Sequence, residues 1–193
     1  MIAENKATEP EENELLSFFD GRIAGEHRKK NRHCLFRDLI ITAAAIFLLF
    51  SIIAGVAIVQ GDSMNPGLSN GSIVLFYRLG NTYKRDDIVI FQPAGGKQLL
   101  IKRVVAIAGD KINIDDKTGT LSVNGNIPKE LVGDKTYTRD SGIKYPLTVP
   151  DNCVFVLGDN REVALDSRSL GAVKTNSLLG KVFFEMRILG GST

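Results

Sequence analysis

Leu39-Ile40-Ile41-Thr42-Ala43-Ala44-Ala45-Ile46-Phe47-Leu48-Leu49-Phe50-Ser51-Ile52-Ile53-Ala54-Gly55-Val56-Ala57-Ile58-Val59 runs for 21 residues without a charge. As a helix rising ~1.5 Å per residue, such a run crosses a hydrocarbon core of ~30 Å. It lacks the polar stripe of a soluble core helix. It also begins too late, and runs too long, for the ~7–15-residue apolar region of a cleaved leader. The reading is a single membrane span over 39–59. Upstream lie Arg28, Lys29, Lys30, Arg32 and Arg37, whereas the first basic residue downstream is Arg78. Positive charge marks the cytoplasmic flank, so residues 1–38 are expected in the cytosol and 60–193 outside the cell membrane.

Before the span the chain shows no core. Glu4, Glu9, Glu11, Glu12 and Glu14 make the first residues acidic. Leu15, Phe18, Phe19 and Ile23 then fall near helical spacing, which fits either a short amphipathic helix over 14–32 or a polar tail with scattered apolar residues.

After the span the periodicity becomes that of strands. Short β-branched or aromatic runs occur at 72–77, 87–91, 99–107, 111–114 and 153–158, with a last one at 181–186. Asn124-Gly125 between apolar residues marks a tight turn. No long amphipathic helix is legible between 60 and 180. The fold class is therefore mainly β: one N-terminal transmembrane helix, then an antiparallel β-rich domain large enough for its own core.

Composition removes several functions. A net charge of +2 leaves no electrostatic footprint for nucleic acid. Cys34 and Cys153 flank the span and cannot pair within one chain. Cys153, inside an apolar strand, reads as a buried small hydrophobe. Both histidines, His27 and His33, precede the span. The outer domain thus holds no Ser-His-Asp triad and no histidine-containing zinc site, and one cysteine makes no metal cluster. No cofactor or metal is expected, and a hydrolytic base must be a carboxylate or a lysine.

Three stretches bear on that choice. Gly61-Asp62-Ser63-Met64-Asn65-Pro66-Gly67-Leu68 begins two residues after the span. Four residues reach at most ~14 Å, which keeps Ser63 near the membrane surface. Pro66 biases Asn65 away from helix, so Ser63 is expected in a fixed, extended loop. The second stretch, Leu100-Ile101-Lys102-Arg103-Val104, places Lys102 on a strand face with Leu100, Val104 and Ala106. An apolar face desolvates the ammonium. Serving as a base near neutrality takes a fall from ~10.4 to roughly 7–8, about 4 kcal/mol, within the reach of burial. The third stretch is Gly158-Asp159-Asn160-Arg161-Glu162-Val163-Ala164-Leu165-Asp166-Ser167-Arg168.

In this order the three stretches resemble the type I signal peptidases, membrane-bound Ser/Lys endopeptidases that remove secretory signal peptides. The resemblance covers 39–168. It implies Ser63 as acylating nucleophile, Lys102 as its base, and the backbone N–H of Ser63 as an oxyanion donor. Met64, Leu68 and Ile101 match positions lining the small apolar pocket for Ala-x-Ala-type cleavage sites. Gly61 stands where some members carry a second hydroxyl donor. Arg103, Asp159, Arg161, Asp166 and Arg168 match a charged framework supporting the site. The implied partners are secretory preproteins and the lipid bilayer.

Three positions depart from the family pattern. Gly67 replaces a frequent threonine, Asp86 a common glycine, and Ala164 a serine whose hydroxyl helps to orient the lysine. The last is expected to loosen the base without deleting it. It also keeps open a second function, that of a non-catalytic signal-peptidase-like assembly factor of a pilus-type system. Retention of both Ser63 and Lys102 speaks against that alternative, and a self-cleaving repressor-type peptidase would need a DNA-binding domain where this chain has its span.

Overall fold

The computed structural model describes residues 34–80, 82–128 and 135–187. The chain divides into two compact units, Met1–Phe50 and Ser51–Thr193. The described residues of the first unit belong to one helix, α1 (Cys34–Ile53), whose last residues, from Ser51, fall in the second; its apolar side chains up to Ile52 are exposed. Its 20 residues reach about 30 Å. The acidic segment, the possible helix over 14–32, both histidines and the basic residues before Arg37 lie outside the described residues.

The apolar run does not stay helical to Val59. From Ala54 it turns into β1 (Ala54–Ile58), which pairs with β2 (Ile73–Tyr77). The reason is tertiary. Gly55 is weak in a helix, and Val56 and Ile58 favour strands. Gly55 lies opposite Phe76, and a Cβ on it would stand 2.2 Å from the tip of that ring. On the other side of β2, a Cβ on Gly180 would lie 2.8 Å from the same ring. The two glycines give the buried Phe76 room between neighbouring strands.

The remaining strands are β3 (Ile88–Phe91), β4 (Leu100–Ile107), β5 (Lys111–Asp115), β6 (Thr120–Val123), β7 (Leu147–Thr148), β8 (Cys153–Leu157), β9 (Val173–Lys174) and β10 (Leu178–Met186). A one-turn helix, α2 (Ser167–Leu170), is capped by the side chain of Asp166. The large sheet has the order β1-β2-β10-β3-β4-β8-β9, the small one β6-β5-β7, and every pairing is antiparallel. The mainly antiparallel fold expected from the sequence is the fold observed. Asn124 and Gly125 do form a tight turn, both at positive φ, closed by a single Val123–Asn126 bridge.

β8 is buried on both faces, which explains its unbroken apolar run. Cys153, Phe155 and Leu157 pack with Val105, Ile112 and Leu121 between the sheets. Val154 and Val156 pack with Val89, Phe91 and Val104 on the other face. A third cluster joins Met64 and Leu68 of the Ser63 loop to Val59, Val74, Phe76 and Ile90. This last cluster roots the loop in the sheet.

Candidate active site

Ser63 lies in a succession of tight turns, not in the extended loop expected from Pro66. Asn65 N–H donates to Asp62 C=O at 3.1 Å and Leu68 N–H to Met64 C=O at 2.7 Å. The Asn65–Pro66 peptide is cis. Asn160 N–H donates to the Ser63 carbonyl at 3.1 Å, tying the turn to the stretch after β8.

Lys102 comes from β4 and is only 2% exposed. Its Nζ lies 2.8 Å from Ser63 Oγ and 2.8 Å from the Ile101 carbonyl oxygen. Burial lowers the lysine pKa to about 8, an effect that the carboxylates of Asp166 and Asp159 partly offset. That fall from 10.5 is worth about 3 kcal/mol in favour of the neutral amine. A neutral amine has two hydrogens and one lone pair. With one hydrogen donated to the Ile101 carbonyl, a neutral amine has a lone pair available for the Ser63 hydroxyl, whereas the ammonium donates to both oxygens.

That carbonyl answers the concern about Ala164. The buried Ala164 offers no hydroxyl, but the Lys102 amine has a backbone acceptor that depends on no side chain. The face shared by Lys102 also differs in one detail: a bulge between Val104 and Ala106 moves Ala106 to the other side of β4, into the cluster between the sheets.

Gly158 sets the closeness of the parts. A Cβ there would lie 2.3 Å from Ala164 Cβ, 2.5 Å from the Ser63 carbonyl oxygen and 3.5 Å from Lys102 Cδ. Its φ is not in the left-handed region, so the constraint is one of space. The sequence holds this glycine within a motif but gives no sign of what it touches.

The charged residues form two groups. Arg103 makes a two-pronged pair with Asp159, at 2.9 and 2.7 Å, and a further bond to the Asp86 carbonyl at 3.3 Å. A Cβ on Gly67 would lie 1.9 Å from Asp159 Oδ2, so the glycine at this position is what admits the pair in this geometry. Asp86 sits at φ 71°, a left-handed conformation that favours glycine. In the second group Asp166, fully buried, accepts from Arg168 Nε and Nη2 and from Gly158 N–H. Arg168 also reaches the Arg161 carbonyl, and Arg161 Nε the Gly158 carbonyl. Each of these charges is paired or hydrogen-bonded, which fits a scaffold for the loop ends.

A cleft of about 450 Å³ opens beside Ser63. One wall is Val56–Gln60, and the other is Gln98–Lys102, with Met64 and Ile90 between. Met64 and Ile101 line the cleft. Leu68 does not; it packs beneath Met64 in the third cluster. Gly61, at φ 81°, donates its N–H to Asn70 Oδ1. Two strand edges face the cleft. β1 is the first strand of its sheet and, among the described residues, pairs on one side alone. On β4, pairing with β8 starts at Arg103, which leaves the segment up to Lys102 without that neighbour.

An antiparallel β-domain holding a serine against a buried, desolvated lysine defines a class: a candidate serine hydrolase working without histidine. A family model described as "Signal peptidase, peptidase S26" matches residues 33–187. Signal peptidase I of Bacillus caldolyticus is 36% identical over 144 residues, covering 66% of this chain and 76% of that protein. Signal peptidase I P of Bacillus subtilis subsp. natto is 31% identical over 175 residues, covering 83% and 94%. A crystal structure of a signal peptidase I from Enterococcus faecalis V583 aligns with 53% of this chain and 97% of its own, at 31% identity and a TM-score of 0.43. The chain belongs to the signal peptidase family, peptidase S26, and so to the membrane-anchored type I enzymes that cleave signal peptides from preproteins.

Proposed function

We propose that Ser63 and Lys102 form the catalytic dyad with which the chain cleaves preproteins through an acyl-enzyme. The observation that carries this is the 2.8 Å contact between Ser63 Oγ and the Nζ of a lysine only 2% exposed. Neutral Lys102 takes the hydroxyl proton as Oγ attacks the scissile carbonyl. The N–H of Ser63 has no acceptor among the described residues and is free to bind the oxyanion. The ammonium then protonates the leaving amine of the mature protein. A water, deprotonated by the same lysine, releases the signal peptide from Ser63.

Substrate would enter as an extended strand between the free edge of β1 and the segment 98–102, bonded through its backbone. The apolar lining of Met64, Ile90 and Ile101 suits the small side chains of an Ala-x-Ala-type site. Incubating the full-length protein in detergent with a model preprotein, then sequencing the product's new N-terminus, tests the reading. A cut after the signal region supports it, and no cut or a scattered set of cuts contradicts it.

The pH dependence follows from the lysine. Its base form grows as pH rises through about 8, so kcat/KM is expected to climb about tenfold from pH 7 to a plateau above pH 9. A carboxylate base would give a profile already flat at pH 6.

Orientation belongs to the same proposal. With the basic residues before Leu39 inside, protease added outside intact cells is expected to digest 60–193 and spare the segment before α1. A protected C-terminal domain would reverse the topology.

A further inference from the structure

Between β1 and β2 the chain leaves the sheet at Val59 and returns at Ser72, with Ser63 on the excursion. Its base is closed by Val59 N–H to the Ser72 carbonyl at 2.8 Å and Gly71 N–H to the Val59 carbonyl at 2.9 Å. One strand away in the sheet, and 113 residues on in sequence, β10 brings Glu185 opposite Val74. Its Oε1 accepts from Ser72 Oγ at 2.9 Å and from Ser69 N–H at 3.5 Å. Arg187 Nε approaches the same oxygen at 3.4 Å. Ser72 is 1% exposed, so its hydroxyl meets the Glu185 side chain in a part-buried contact.

We propose that Glu185 is a positioning residue for the nucleophile, an inference that rests on the catalytic reading of Ser63. Besides the apolar cluster under Met64 and Leu68, two polar contacts from outside the loop bear on Ser63. Asn160 holds its tip, at the Ser63 carbonyl, and Glu185 holds its base. Without Glu185 the backbone bonds of Val59 and Gly71 still close the base, but the Ser69–Ser72 side loses its side-chain tie, and Oγ strays from the line between Lys102 and the scissile carbonyl. The substrate walls, Val56–Gln60 and Gln98–Lys102, do not include Glu185, so binding is left largely intact.

In single-turnover and steady-state cleavage of one preprotein by the full-length enzyme, Glu185→Ala is expected to lower kcat roughly tenfold while KM stays within about twofold. Glu185→Gln keeps an acceptor oxygen in place and is expected to restore kcat to within about threefold of the parent. Ser72→Ala removes the donor and should slow kcat about threefold, and the double variant Ser72→Ala/Glu185→Ala should be no slower than Glu185→Ala, because both report on one contact. Parental kcat in Glu185→Ala, a Glu185→Gln as slow as the alanine variant, or fully additive losses would overturn the proposal. If Glu185→Ala does not fold by circular dichroism, Ser72→Ala decides, and an unchanged kcat there overturns it. A parent enzyme with no activity would instead defeat the catalytic reading, and this proposal with it.

Discussion

Ser63→Ala and Lys102→Met are each expected to lower preprotein cleavage by roughly three orders of magnitude or more, and the double variant to be no worse than either. Non-additivity is the informative part. Ser63 Oγ is 2.8 Å from Lys102 Nζ, and neither atom performs its step without the other. Methionine suits the test because it keeps the unbranched apolar stem that fills the space beside Gly158 and deletes only the amine. Losses that multiply would mean that serine and lysine act in separate steps. Substantial activity in Lys102→Met would point to another base. Equal, minor losses would return attention to a non-catalytic role for the fold.

Gly158→Ala is expected to cost about 100-fold in kcat, although it touches no reacting atom. The added methyl would meet the Ser63 carbonyl oxygen at 2.5 Å and Ala164 Cβ at 2.3 Å. Neither is the far end of a flexible side chain; one is the backbone of the nucleophile itself. Relief requires the Ser63 turn and the stretch after β8 to move apart, which also strains the Asn160–Ser63 hydrogen bond. Overpacking of this kind costs about 1–3 kcal/mol of stability, so the variant should fold yet react slowly. Circular dichroism and a kinetic comparison on one preprotein check this. A rate within twofold of the parent would show that the two segments slide freely and that their contact sets nothing.

Much of this site was legible in the sequence because so little chemistry was available. Without histidine beyond the span, and with one cysteine there, a base had to be lysine or carboxylate, and Lys102 stood in an apolar strand. What decides the details is tertiary. The step from helix to strand at Ala54 hides in an apolar run, because Ile, Val and Ala satisfy both patterns; pairing with β2 and the space over Gly55 for Phe76 make the choice. β7 and β9, two residues each, carry no periodicity to read. Pro66 signalled extension, but backbone bonds from Asn65 to Asp62 and from Leu68 to Met64 fold its segment into turns. Leu68 looked like lining and is core; Ile101 looked like lining alone, yet its carbonyl also accepts from Lys102 Nζ. Glu185 carries no local signal, since only the register of β10 on β2 brings it to the loop.

The dyad is tested most directly by catching its intermediate. An ester analogue of a signal peptide ending in Ala-x-Ala acylates faster than an amide, so the covalent species accumulates before water releases it. The full-length enzyme is mixed with this ester, quenched in acid within milliseconds and digested for mass spectrometry. The account predicts that the peptide containing Ser63 gains the acyl mass in the parent, at a rate that rises with pH through about 8, and not in Ser63→Ala. Turnover with no adduct on Ser63, or with the adduct on another residue, would contradict it.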